Sequence, residues 1–108
     1  MENRKLISEL QFCAGQCSRC YDACLMQNDT EKLRLCMYLT EDCAEICRLT
    51  ASLLDRNSPN AELFLKLCSD TCRVCAEECQ KVASVQSLKC ADTCLKCEEV
   101  CLSHQPVI

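Results

Sequence analysis

Cysteine is the residue most able to do chemistry in this chain: it fills 15 of the 108 positions, at regular intervals. Three segments each carry four cysteines at steps of four, three and four residues, and a fourth segment has Thr40 in the second place. The cysteines are Cys13, Cys17, Cys20, Cys24, Cys36, Cys43, Cys47, Cys68, Cys72, Cys75, Cys79, Cys90, Cys94, Cys97 and Cys101. Thiols at this density can bind soft metal ions, form disulfides or exchange thiol for disulfide.

Whether the cysteines form disulfides or bind metal depends on the cellular compartment of the protein. The N-terminal residues contain charges but no continuous apolar stretch and no small-residue cleavage site, so we expect no secretion signal and a cytoplasmic protein. In a reducing compartment dense cysteines are more often metal ligands than disulfides. An odd number of cysteines also cannot pair completely within one chain. Metal binding is therefore the favoured chemistry.

Charge and hydropathy argue against several other functions. The formal net charge is −4 and there is no basic run, so neither nucleic acid nor an anionic membrane surface is an expected partner. No apolar stretch approaches the roughly 20 residues of a membrane span. No grouping of cysteine, histidine and carboxylate suggests a catalytic site, so we expect no enzyme activity.

The elements that must position the cysteines are helices. With one glycine, two prolines and no tryptophan, the chain lacks the turns and large core residues typical of a β protein, and its length suits one domain over residues 1–108. Capping and breaking residues divide it into helices at about 3–27, 30–55, 59–82 and 86–104. We expect Asn28 and Glu31 to form a capping box, and Ser58 to cap a helix that begins at Pro59.

The spacing of the cysteines predicts how these helices pack. Steps of four and three residues average close to the helical period, so each set forms a stripe along one face. When cysteines of successive helices are paired at equal heights, all three midpoints fall in the predicted turns. The sequence therefore predicts an all-α, antiparallel up-down-up-down four-helix bundle with a cysteine-lined core and with the four stripes at one level.

The stripes lie off-centre along this bundle, so its two ends should differ. Toward the chain termini and the second turn, the stripes continue into apolar residues that we expect to form a plug: Leu6, Leu10, Ala51, Leu54, Ala61, Phe64 and Leu65. At the other end they continue into smaller and more polar residues, which we call the lip: Gln27, Asn28, Leu33, Val82, Ala83, Gln86 and Ser87. We expect metal to enter at the lip.

Charge indicates which metal such a core would hold. Buried thiolates need neutralisation, and a monovalent ion matches them one for one, whereas Zn(II) bound by four thiolates leaves about two negative charges per site. Cu(I) bridged by thiolates, on the order of 15 ions per chain, is therefore favoured. The alternatives are a zinc-binding bundle with three or four ions, a disulfide-stapled structural bundle and, with less support, an iron–sulfur protein.

Several residues near the stripes have a plainer interpretation than metal binding. We expect the Thr40 hydroxyl to bond back to its own helix. His104 shares a face with Cys101 but should be a surface or capping residue, and Met26 and Met37 should serve packing more than ligation. Roles of these three residues at an entry site stay open.

The four stripes, the chain length and the shortened set on the second helix resemble the bacterial copper storage proteins over nearly the whole chain. This resemblance implies a four-helix bundle in which the fifteen cysteines given above are Cu(I) ligands. It further implies a homotetramer of the cytosolic branch, loaded by cytosolic copper carriers. The chain departs from the family at the lip, where Val82, Ser84, Gln86 and Ser87 stand in place of histidine or methionine.

Overall fold

Four helices make up the fold, and the computed structural model describes residues 3–28 and 31–104. They are α1 (Arg4–Leu25), α2 (Arg34–Asp55), α3 (Ala61–Val82) and α4 (Val85–Ser103). The predicted helix count and order are confirmed, with α2 beginning four residues later than expected. Within the described ranges, no helix combines the length and the apolar character needed to cross a lipid bilayer.

The helices pack as an antiparallel square. Each contacts its neighbours in the chain, and α1 closes the square against α4, which confirms the predicted up-down-up-down bundle. The closest pairs are α1 with α2 and α3 with α4, while α1 with α4 is the loosest. An alanine directly follows a cysteine once in each helix, and all four alanines are buried: Ala14, Ala44, Ala76 and Ala91. Small residues beside the stripe let the backbones of a hairpin approach closely.

The second and third turns stop their helices by different means. Asn57 adopts a left-handed backbone (φ 53°), and the Ser58 N–H donates to the Leu53 carbonyl at 2.9 Å, which is a Schellman ending for α2. At the third turn Ala83 is left-handed (φ 57°) and Ser84 caps α4. Ser84 and Ser87 form a reciprocal capping box, with N–H···Oγ distances of 2.8 and 3.0 Å.

Two predicted caps are wrong. The Asn28–Glu31 box does not form, because α2 begins only at Arg34, after Leu33 has packed against the core, and the Glu31 carboxylate instead pairs with the Arg34 guanidinium. The first predicted turn also includes residues 29 and 30, which lie outside the described ranges. Likewise α3 begins at Ala61 and not at Pro59, although the Ser58 Oγ accepts a hydrogen bond from the Asn60 N–H at 3.2 Å.

The structure confirms the predicted plug at the end of the bundle that holds the second turn. Six of its seven predicted members are buried, and Phe64 is half-buried against them. Leu53 and Thr50 are also buried at this end, and the Thr50 hydroxyl is satisfied by the Ile46 carbonyl at 2.7 Å. The plug is the part of the core made of large apolar side chains, so it should contribute most of the stability that does not depend on metal.

Replacing Leu10 by alanine should therefore destabilise the metal-free protein by about 2–5 kcal/mol, because Leu10 is fully buried and its removal leaves a cavity. Urea unfolding of the reduced protein, followed by circular dichroism, measures the change. Leu63→Ala is the matched control, since Leu63 is 68% exposed and its loss should cost less than about 0.5 kcal/mol. Equal losses for the two variants would contradict the importance of the plug.

Candidate metal-binding core

The structure brings all fifteen predicted cysteines into the interior of the bundle. Each is a free thiol and each is buried, which follows from the stripe on every helix facing the bundle axis. A cysteine side chain is short, so four stripes that converge on one axis leave their sulfurs as the main content of the core between lip and plug. The core is thus a column of thiols and not an ordinary aliphatic interior.

Sulfur atoms from different helices lie at near-contact distances. Between α2 and α3, the Cys47 Sγ is 3.6 Å from that of Cys68, and the Cys36 Sγ is 4.0 Å from that of Cys79, as the equal-height pairing predicts. Across the same pair, the Cys43 and Cys72 sulfurs are 3.7 Å apart. Contacts along a single helix also occur, with Cys75 and Cys79 at 4.0 Å. The column is therefore built from sulfur contacts between helices as well as from contacts along a single helix.

These contacts join into clusters that share members. Within each cluster all sulfurs lie within 4.8 Å of one another, and the clusters include Cys13–Cys47–Cys72–Cys97, Cys13–Cys17–Cys43–Cys94, Cys17–Cys75–Cys90–Cys94, Cys20–Cys79–Cys90 and Cys20–Cys24–Cys36. Cys13, Cys17, Cys20, Cys90 and Cys94 each belong to two of them. The sharing makes one continuous path from the plug side to the lip, in which the shared thiolates would have to bridge metal ions.

Bridging bears on the choice of ion. Metal–sulfur bonds of ~2.3 Å hold two sulfurs roughly 4.0 Å apart at a trigonal ion and roughly 4.6 Å apart at a linear one. Sulfur pairs in this core lie at 3.6–4.0 Å, and all members of a cluster lie within 4.8 Å of one another, so small shifts would suit either geometry. Zn(II) also fits such distances but takes four thiolates per closed site. Because the clusters overlap, few closed sites could be filled at once. A low-coordinate monovalent ion can use every thiolate.

One predicted feature of the column is only partly correct. The equal-height pairing holds for all three pairs of successive helices, including α3 with α4, where Cys79 lies with Cys90 and Cys72 with Cys97. The four stripes are nevertheless not at one level, because α4 is displaced toward the plug relative to α1. The α4 partners of Cys13 are Cys94, at 3.8 Å, and Cys97, whereas stripes at one level would place Cys101 there. Similarly, Cys90 lies 3.7 Å from Cys17. The stripe spacing is the same on every helix, so it cannot reveal this displacement.

The residues beside the stripes behave as their plainer interpretations predicted. Thr40 is fully buried, and its hydroxyl donates to the Cys36 carbonyl at 2.8 Å and to that of Met37 at 3.1 Å. His104 is exposed at the end of α4, with its Nδ1 2.9 Å from the Val100 carbonyl. Met37 packs partly buried against the core, but Met26 is the exception: it is 84% exposed, so the packing role expected for it is not seen within this chain.

A cavity of about 430 Å³ opens at the lip, where Gln27, Asn28, Leu33 and Val82 lie as predicted. The sequence did not reveal three features of this end: two further residues that line the cavity, a hydrogen bond between two glutamines, and a capping box. Ala23 and Lys32 also line the cavity, and the Gln86 amide donates to the Gln16 side chain at 3.1 Å. The capping box that holds Ser87 was missed because its third position carries serine, where glutamate or glutamine is the usual signal.

Burial and contact between thiols control their charge in the metal-free core. Burial, reinforced by the neighbouring Cys36, raises the pKa of Cys24 to about 11. A hydrogen bond to Cys13 raises the pKa of Cys72, and one to Cys68 raises that of Cys101, with burial adding in both cases. The hydrogen bonds that Cys36 accepts from Cys20 and Cys79 instead lower its pKa. The thiols with raised pKa are neutral at pH 7 and must lose a proton to become ligands.

The fold and the site together define a class of protein: a thiol-lined four-helix bundle of the metal-storage kind. Comparison with known proteins identifies the family, because the copper storage protein (Csp) family model matches residues 1–106. The chain therefore belongs to the copper storage protein family, whose members store metal and are not enzymes.

Solved structures of similar proteins agree in fold. The Cu(I)-bound copper storage protein BsCsp3 has a TM-score of 0.94 at 29% identity, with 98% of this chain and 100% of that chain covered. A cytosolic copper storage protein from Streptomyces lividans, solved with five coppers, has a TM-score of 0.86 at 31% identity, with 91% and 87% covered. The same protein loaded with 10 copper equivalents has a TM-score of 0.87 at 30% identity, with 92% and 80% covered.

Sequence comparison gives a more partial match. An uncharacterised cysteine-rich protein, YhjQ of Bacillus subtilis, is 33% identical over 69 residues. The aligned region spans 64% of this chain and 64% of the length of that relative.

The raised thiol pKa values predict that metal loading releases protons. About one proton should leave for each neutral thiol that becomes a ligand, so apparent Cu(I) affinity should fall about tenfold per pH unit for each proton displaced as the pH is lowered below 7. Measuring proton release in weakly buffered solution while Cu(I) is added tests this, with the chelator alone as the control. Loading without proton release would mean that the thiols are already ionised.

Proposed function

We propose that this chain stores Cu(I) in the cytoplasm as a single domain over residues 1–108, with on the order of 15 ions held by its fifteen cysteines. Copper is the cargo and comes from cytosolic carriers by thiolate exchange. The observation that carries the proposal is the overlap of the thiol clusters, which gives one continuous column of bridging ligands.

Loading and charge neutralisation are the same event in such a column. An isolated thiolate in a dry core is costly, so the metal-free protein keeps most of its thiols neutral. Each Cu(I) that enters replaces a proton, and the net charge of the core stays near zero. Filling can therefore continue along the column without a growing electrostatic cost, which suits high capacity.

Anaerobic titration of the reduced protein with Cu(I), against a chromophoric chelator, should reach saturation near one ion per cysteine. Saturation at one to four ions per chain would overturn the storage proposal. The same experiment with Zn(II) should stop at about three ions, because fifteen thiolates supply at most three separate four-thiolate sites. If zinc is held more tightly than Cu(I), with no further copper uptake, the zinc-binding alternative is favoured. Disulfides without bound metal in protein isolated anaerobically would favour the structural bundle.

Removing thiols tests whether the core itself is the store. Replacing Cys17, Cys43, Cys72 and Cys94 with serine should lower capacity by about four ions, while circular dichroism shows that the helices persist. The matched variant replaces four cysteines nearer the lip, which are Cys24, Cys36, Cys79 and Cys90, and should lose the same number. Unchanged capacity in both variants would place the store outside the core.

We also propose that the bundle assembles as a homotetramer. Support comes from the outer face of α4, where Leu88, Leu95 and Leu102 recur at seven-residue intervals and are 44%, 39% and 48% exposed. Leucine at this spacing is typical of a helix that packs against another helix. An exposed apolar stripe along a bundle marks a surface for association between copies.

Light scattering after size-exclusion chromatography should give the mass of four chains. The double variant Leu88→Lys with Leu102→Lys should lower that mass, because it places charges on the apolar stripe. Glu45→Lys is the control, since it changes the net charge by the same amount at an exposed position on α2, the helix diagonally opposite α4. A wild-type mass of one chain contradicts the tetramer, and equal masses for all three proteins would remove this stripe from the interface.

A further inference from the structure

The lip cavity has the size and lining of a small-molecule site. Its volume of about 430 Å³ falls within the range of roughly 300–1000 Å³ that small ligands occupy. Ala23, Leu33 and Val82 give it apolar walls, while Gln27 and Asn28 place amide side chains there. Lys32 supplies the charge among the described residues that line it. This combination of apolar walls and amide side chains suits a small molecule with peptide-like groups.

The inner wall of this cavity carries thiols. Cys20 and Cys24 both line it, and Cys24 is 4% exposed, whereas the other fourteen cysteines are at most 1% exposed. Cys24 is therefore the thiol that an incoming ligand meets first. Behind it, Cys20 and Cys36 lie within 4.8 Å of Cys24 and of one another, and Cys20 belongs to the next cluster inward as well.

The position of Cys24 in the lip cavity favours a small-molecule copper carrier over a folded protein carrier. A metal held on the surface of a folded protein would have to reach a thiol that is almost wholly covered, at the bottom of a cavity. A small molecule can enter the cavity and bring its metal to Cys24 directly. We infer that the lip cavity binds a low-molecular-weight thiol carrying Cu(I), so that a small thiol peptide or a similar molecule is the immediate donor. This inference rests on the proposed copper-storage function.

The transfer is a ligand exchange without electron transfer. The carrier arrives as Cu(I) bound by two small thiolates. The Cys24 sulfur bonds to the copper, one copper–carrier bond breaks, and the Cys24 proton goes to the departing small thiolate. A second exchange with Cys20 then breaks the other carrier bond, and the Cys20 proton goes to the second departing small thiolate. Two small thiols leave, Cu(I) is bound by two protein thiolates, and the copper keeps its oxidation state throughout.

Loading rates test the inference, with Cu(I)–glutathione as the probe. For the wild-type protein, the initial rate should level off as the complex becomes concentrated, because binding in the cavity precedes exchange. Cys24→Ser should slow loading about tenfold or more, since it removes the first acceptor. Ser103→Ala is the control: it changes an exposed side chain at the end of α4, away from the lip and outside the thiol column, and should load at the wild-type rate.

Filling the cavity separates the binding step from the loss of a thiol. Ala23→Phe keeps all fifteen cysteines but occupies the recess, so it should slow loading from Cu(I)–glutathione. Gln11→Phe, at an exposed position on the same helix, is its control. Metal-free S-methylglutathione cannot donate copper, yet it should shift the amide resonances of Ala23, Val82 and Ser84 in the wild-type protein and not in Ala23→Phe.

The outcomes distinguish this inference from the storage proposal. Final capacity after long equilibration reports storage, whereas initial rate reports the donor site. A rate that rises linearly without levelling off, with Cys24→Ser and Ser103→Ala equal and no shift with S-methylglutathione, would overturn the small-thiol site while storage stands. The inference is equally wrong if a protein carrier loads the chain faster than Cu(I)–glutathione and Ala23→Phe does not change that rate. A capacity of one to four ions would instead overturn storage itself.

Discussion

The structure depends on the electrostatic requirement that a buried thiolate be neutralised. Fifteen cysteines in one small core are acceptable without metal only while most keep their protons, and raised pKa values such as that of Cys24 show how burial enforces this. A metal ion that binds the thiolates takes the place of those protons. The same burial that protonates the empty column thus makes it a high-capacity receptor for Cu(I), and the even spacing of the sulfurs lets each ion be shared.

A core made of thiols has to be stabilised by something other than itself. Cysteine is a small side chain, so the column gives less apolar burial than leucine would, and the plug around Leu6, Leu10 and Leu65 supplies large side chains at one end. Buried alanines such as Ala14 and Ala76 draw the helices of each hairpin together. Because the large side chains lie in the plug, the metal-binding region has no bulky residues that would separate the sulfurs.

The two ends of the column differ for a related reason. The plug seals one end with side chains that offer metal no ligand. At the lip, α4 lies displaced toward the plug, so its first cysteine, Cys90, reaches Cys17 and Cys20 and leaves the side of Cys24 open to a cavity. Ser84 and Ser87 fix the start of α4 there by capping each other. The opening lies between α1 and the first and third turns, which supply most of its lining.

The sequence by itself determined the fold class, the order of the helices, the plug and the inward direction of every cysteine, because the repeated spacing of four, three and four residues leaves one face on each helix. It could not determine the displacement of α4, since identical stripes fit one another at more than one height. Local pattern also misplaced the start of α2, where packing of Leu33 on the core overrode the expected cap at Asn28. Only the tertiary structure decided which sulfurs share a cluster and where the column opens, because both depend on how far each helix slides along its neighbours, and side-chain packing between helices fixes that distance.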